Sequence, residues 1–194
     1  MRARKVKGLD PAAPLADNAE RIIRTRLDEL CSFMPKAADP RQVKALHDMR
    51  IAAKRLRYIL EVTAPCFGEY AETAIKHVKA AQDLLGEIHD CDEQGPDVAG
   101  VLDELLAADA RVLSERHAGE EDLDPAAIRR APHHAAYAGV AALLVHVRAR
   151  RALLFANFLE MWADLERKGF RARLEYAITE RSQAEPAAAI ISVE

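Results

Sequence analysis

The chain has little of what strands and small cross-linked folds are made from: aromatic residues are 5% of it, glycines number 8 and cysteines 3. Alternating runs of β-branched and aromatic residues are nearly absent, which argues against a sheet. Cys31, Cys66 and Cys91 lie far apart and form no C-x-x-C pair, so neither a disulfide framework nor a zinc ribbon is read from them. Small buried apolar roles are expected instead. No run of ~18 apolar residues exists, so no segment is expected to span a membrane. The basic start, Met1-Arg-Ala-Arg-Lys-Val-Lys7, meets Gly, Asp and Pro rather than an apolar stretch and does not read as a secretory signal. A reducing cytoplasm fits these features best. A large excess of one charge is also missing. The formal net charge of -3 speaks against a surface built throughout for nucleic acid, and leaves room for a local basic site.

Catalytic signatures are missing in the same way. There is no G-x-S-x-G, no Walker-type glycine loop and no isolated carboxylate pair in an apolar setting, so no catalytic residue is assigned and a non-enzymatic role is expected. The 7 histidines include no H-x-x-x-H and no H-x-x-E-H, and the ligand-type atoms of His89-Asp-Cys-Asp92 are too close in sequence to converge within one turn. Neither a metal site nor a cofactor is expected.

What is present is helical in composition: 50% hydrophobic and 30% charged residues, rich in alanine and leucine. The expected fold class is all-α, an antiparallel helical bundle of five or six helices with a basic groove. A basic flexible lead occupies residues 1-14, a helical domain 15-181, and a tail expected to be disordered 182-194. Apolar spacing predicts helices over Leu15–Met34, from Asp39-Pro40 to about Thr63, over Glu69–Cys91, over Val98–His117 beyond a break at Gly95-Pro96, over Ala135–Lys168 and over Phe170–Arg181. A short helix, Pro125–Arg130, is expected behind its Asp-Pro start.

The most informative segment is the second of these helices. At ~100° per residue, His47, Arg50, Lys54 and Arg57 fall in a sector roughly 80° wide. Leu46, Met49, Ala53, Leu56 and Leu60 fill the sector beside it, and Ile51 and Tyr58 lie on the other flank. A cation row that only keeps a helix soluble should lie opposite the apolar stripe; this one lies next to it, where the helix meets its neighbours. Arg26 on the first helix and Arg151 on the long late helix also sit between apolar directions, and Lys79 on the third helix sits beside its stripe. Burying several cations without counter-ions costs several kcal/mol each, so an external polyanion is expected to supply the missing charge. Arg55 projects elsewhere and is expected to be solvated. Val145-His-Val-Arg-Ala-Arg-Arg-Ala-Leu153 echoes the motif faintly, with its spacing off by a residue.

Leu46-His-Asp-Met-Arg-Ile-Ala-Ala-Lys-Arg-Leu-Arg-Tyr-Ile-Leu-Glu61, followed by Ala81-Gln-Asp-Leu-Leu-Gly-Glu-Ile-His-Asp-Cys-Asp92, resembles the CHAD family, the conserved histidine α-helical domain. The resemblance covers Leu15 through Asp92 and extends more loosely through Tyr137–Trp162. It implies a helical domain whose basic central groove binds inorganic polyphosphate, association with polyphosphate granules, and His47, Arg50, Lys54 and Arg57 as the polyanion contacts. Fuller members resemble two repeated halves, each with its own basic motif. Only one half is clear here, which puts Arg148, Arg150 and Arg151 in doubt as an equivalent wall and leaves a homodimer open as the way to complete the groove. The E-x-E-x-K strand motif of an accompanying triphosphatase domain is absent, so the resemblance does not imply hydrolysis. Two other readings remain: a module that recognises an acidic segment of a protein, which on a granule would be a granule-associated partner, and a metal-binding or phosphate-accepting histidine protein.

Overall fold

The computed structural model describes residues 2–181, and among these it is all-α, as the composition predicts. Six α-helices follow in order: α1 (Leu15–Cys31), α2 (Met34–Ala37), α3 (Val43–Thr63), α4 (Tyr70–Arg116), α5 (His134–Arg167) and α6 (Phe170–Ala177). Two 3-10 helices, Ala64–Cys66 and Pro125–Arg130, fill the connections. The tail 182-194 lies outside the described residues. The contacts gather into two compact units, one of Met1–Asp83 with Glu160–Glu194 and one of Leu84–Leu159.

In the first unit the core is built from one face of each helix. Ile23, Leu27 and Leu30 of α1 and Leu46, Met49, Leu56 and Leu60 of α3 are essentially fully buried, at about 1.5–3 kcal/mol of apolar burial per large side chain. The expected first helix through Met34 is divided: α1 ends at Cys31, and Pro35 sits at the start of α2, where a missing N–H costs nothing. The motif helix begins at Val43, three residues past Pro40, because Asp39 turns its carboxylate to the backbone N–H and guanidinium of Arg41 and closes a separate turn. The lead is pinned at two points. The Arg4 backbone N–H donates to Glu29 and its guanidinium to Ser32, while the Asn18 side chain brackets the backbone of Asp10. Arg181, at the other end, bonds to Asp17 and Glu20 of α1.

Glu29 is 1% exposed, and its carboxylate takes Arg26 at 2.5 Å and Arg55 at 3.3 Å. Arg55 is therefore an α1-to-α3 tie, not the solvated side chain expected from its helical angle. A buried acid with two cations satisfies the rule that interior charge be paired and hydrogen-bonded.

The second unit corrects the expectation that Gly95-Pro96 separates two helices. Helix α4 runs unbroken for 47 residues with Pro96 inside it. Proline there forfeits its own N–H bond to the Asp92 carbonyl and strains that turn, at ~3 kcal/mol. Tertiary contacts override the break: Arg151 of α5 grips Asp92 through Nε at 2.7 Å, Arg150 reaches Glu87 at 2.5 Å, and Leu85, Ile88 and Cys91 are buried. At Gly95 an added Cβ would stand 3.9 Å from Val147, so α5 packs against α4 at the predicted break itself. Before the Pro125–Arg130 helix, the Asp124 carboxylate accepts the Ala126 N–H, as its Asp-Pro start predicts. Gly169, at φ +66, makes the turn between α5 and α6.

Replacing Glu29 with Ala should leave two cations without their buried partner and cost ~2–4 kcal/mol, since both guanidinium groups keep some water contact. A fall in the urea midpoint checks this, and a loss below ~0.5 kcal/mol would show that the pairs contribute nothing. Pro96→Ala should do the opposite. It restores a helical N–H and should raise stability by ~1–3 kcal/mol, seen as a higher melting temperature.

Candidate functional site

Helix α3 positions the site. Its buried residues include Leu46, Met49, Ala53, Leu56 and Leu60, and the four cationic side chains lie along the edge of that arc. His47, Arg50 and Arg57 are half-buried and Lys54 is exposed. The row therefore stands at a boundary, neither sealed in the core nor opposite it. Its far flank is open: Tyr58 is 46% and Val62 73% exposed. Lys54 Nζ stands 5.6 Å and the Arg57 guanidinium 5.0 Å from the centre of the Tyr58 ring, so this aromatic carries two cations.

The charges of the row are answered unequally. Among the described residues, no carboxylate comes within ion-pair distance of Arg50 or Lys54. Arg57 Nε lies 3.4 Å from Glu61, but misaligned, and this buried N–H finds no hydrogen-bond acceptor among the described residues. A buried donor left in that state costs ~1–3 kcal/mol. His47 Nδ1 lies 3.6 Å from Asp48. Asp48 is itself buried, and its main partner is Lys44 at 3.0 Å. Burial pushes the Asp48 carboxyl up, but the hydrogen bond and charge of Lys44, with the charge of His47, outweigh it and hold the group below its usual range.

The other three predicted residues have different surroundings. Arg26 is spent on Glu29 and on the Arg4 carbonyl, on the side of α3 reached by Arg55, roughly 80° or more around the helix from the row. Arg151 is committed to Asp92 and lies 5.7 Å from the Phe155 ring, within the second unit. Both have the intramolecular counter-charge that the sequence reading took to be missing. Lys79 is exposed on α4 beside buried Val78, with no ion pair among the described residues. Arg150 is likewise paired, with Glu87. Sequence reasoning missed Glu29 as the partner of Arg26. The signal was there in its i+3 spacing, between buried Leu27 and Leu30.

Among the described residues, no group of three or more metal-ligating side chains converges, and no helix is long and apolar enough to cross a membrane. What the row can do chemically is hold an extended anion. From His47 to Arg57 it runs ~15 Å at 1.5 Å per residue, with guanidinium groups that bond oxygen pairs and an ammonium that acts as a point charge.

Comparison with known proteins matches residues 2–96 to the CHAD domain family. Residues 2–96 form a CHAD domain. No curated protein and no solved structure matches the chain. Domains of this family bind polyphosphate-related ligands. The matched CHAD segment takes in α1, α2, α3 and the part of α4 up to Pro96, so the whole row and Lys79 fall inside it and Arg151 falls outside.

The lowered pKa of Asp48 gives a test of its place beside the row. Its stabilising contribution is fully present above the unfolded carboxylate range, near pH ~3.9, and is lost as pH falls through the lower folded value. The stability gap between the wild type and Asp48→Asn should be constant above about pH 5 and should shrink toward zero on further acidification. Urea titrations at several pH values measure it; a gap independent of pH would remove the Lys44–Asp48 pair as a stabilising contact.

Proposed function

We propose that the CHAD segment binds inorganic polyphosphate along α3 without transforming it. Arg50 and Arg57 bond phosphate oxygens through their guanidinium groups, Lys54 adds a point charge, His47 donates a hydrogen bond, and Lys79 adds basic character from α4. The observation that carries this reading is the imbalance of charge at one helix edge. Among the described residues Arg50 and Lys54 have no carboxylate within ion-pair distance and Arg57 holds a buried N–H without a hydrogen-bond acceptor, whereas Arg26, Arg55, Arg150 and Arg151 are each matched to an acid. Arg26 and Arg151 already carry a counter-charge within the chain, so this reading does not rest on them. In this reading the protein works in the cytoplasm, where polyphosphate accumulates, or on a polyphosphate granule.

A second reading is favoured by a different observation. Tyr58 and Val62 present exposed apolar surface next to the row, which suits an acidic protein segment carrying an apolar side chain. Competition separates the two. Polyphosphate saturating the row displaces such a segment, and a peptide that stays bound in its presence uses another surface.

Replacing both Arg50 and Arg57 with Ala should weaken polyphosphate binding at least ~100-fold, since hydrogen bonds to charged groups contribute ~1.5–3 kcal/mol each. Titration calorimetry against the wild type, with a melting curve to confirm the fold, measures the loss. Affinity should also fall with salt at a log–log slope of about -2 to -3, the release expected for three or four neutralised phosphates on a single-stranded polyanion. Unchanged binding in the folded double variant, or a flat salt dependence, refutes the assignment.

A further inference from the structure

The unit Leu84–Leu159 holds a cavity of about 570 Å³, well within the range of sites that take a small organic molecule. Its walls come from the last turns of α4, the loop to Asp124, the Pro125–Arg130 helix and Tyr137 of α5. Walls from four segments make it concave, and its volume is that of a small-molecule site.

The floor is apolar and incompletely covered. Leu106, Leu123 and Ile128 are 43%, 41% and 40% exposed and all line this one cavity, beside buried Leu113. Three large side chains left this wet around one hollow are the surface an apolar ligand body would remove from water.

Apart from Ser114, His117 and the Tyr137 hydroxyl, the polar side chains of the lining are acidic. Glu120, Asp122 and Asp124 contribute carboxylates, and no lysine or arginine lines the cavity. Asp122 and Asp124 each spend one oxygen on a backbone N–H, of Leu123 and Ala126, which leaves the other oxygen of each. His117 is engaged through Nδ1 with the Leu113 carbonyl at 2.8 Å, so in the neutral ring Nδ1–H donates and Nε2 is left as an acceptor. The Tyr137 hydroxyl donates to buried Asp109, which raises the phenol to about 12 and leaves the ring as wall. Acceptors thus outnumber donors, and the lining is negative. An anion or a neutral acceptor finds the Ser114 hydroxyl as a side-chain donor and repulsion from three carboxylates; a cationic donor finds several partners.

We propose that this cavity binds a small organic ammonium ion, with its apolar body on Leu106, Leu113 and Ile128 and its charged head at Glu120 and Asp122. The site is independent of the cation row on α3, and either assignment can fail without the other.

The test uses the full chain, labelled for amide NMR, and three probes of one shape: 3-phenylpropylammonium, 3-phenylpropanol and 3-phenylpropionate. The ammonium should shift the amides of Ser114, His117, Leu123 and Ile128 along a saturating curve. The alcohol should bind at least about fivefold more weakly and the carboxylate at least tenfold more weakly. Glu120→Gln combined with Asp122→Asn, both exposed, should keep the melting temperature and weaken the ammonium at least tenfold; Ile128→Ala should weaken it by a smaller factor. Equal binding of all three probes would reduce the cavity to a greasy hollow and overturn the proposal. So would shifts that map elsewhere, no saturation by 10 mM, or a pocket that responds only to a basic peptide.

Discussion

Glu29 is the constraint on which the first unit depends. A carboxylate 1% exposed cannot remain charged alone, so the fold brings Arg26 from its own helix, Arg55 from α3 and the backbone N–H of Arg4 from the lead to meet it. Three separate segments are thereby tied to one acid, and α1 is set against one particular face of α3. Two of the basic side chains in this part of the chain are used in doing so. The acid determines which cations are structural, and among the described residues Arg50 and Lys54, on the other side of α3, are left without an ion-pair partner.

That remainder is what gives the row its character. Had α3 carried its cations opposite the core, they would be hydrated singly and contribute little. At the edge of the buried arc His47, Arg50 and Arg57 are partly stripped of water, and Tyr58 holds exposed Lys54 and Arg57 near one ring. Ordering before a ligand arrives lowers the entropic cost of binding, which long basic side chains otherwise make large. Glu61 and Asp48 lie close enough to temper the two ends of the row, while Arg50 and Lys54 between them face no acid among the described residues.

The helical class, the apolar faces and the α3 row were legible in the sequence because each rests on periodicity within one helix. Leu46, Met49, Ala53, Leu56 and Leu60 are buried as their spacing requires. Partnership was not legible, because it depends on where a second helix arrives. Arg55 looked solvated by its angle and is held by Glu29, 26 residues away in sequence. Arg151 looked unpaired and is held by Asp92, 59 residues away. Pro96 misled for the same reason: a local rule predicts a break, and packing and ion pairs between α4 and α5 prevent it.

The contrast between the two arginine-rich stretches shows what separates a binding surface from a structural one. Both Ala52-Ala-Lys-Arg-Leu-Arg57 and Val147-Arg-Ala-Arg-Arg151 place cations near an apolar stripe. In the second, Glu87 and Asp92 of α4 stand across from Arg150 and Arg151, and the charge is consumed in holding the hairpin of α4 and α5 together. In the first, Glu29 of α1 meets Arg55, and among the described residues no carboxylate comes within ion-pair distance of Arg50 or Lys54. Composition and spacing are nearly alike in the two stretches, and the difference lies in the sequence of the facing helix. A basic motif read from one helix is therefore only half of a binding site. The other half is the shortage of carboxylates on whatever packs beside it, and α3 has that shortage along one edge.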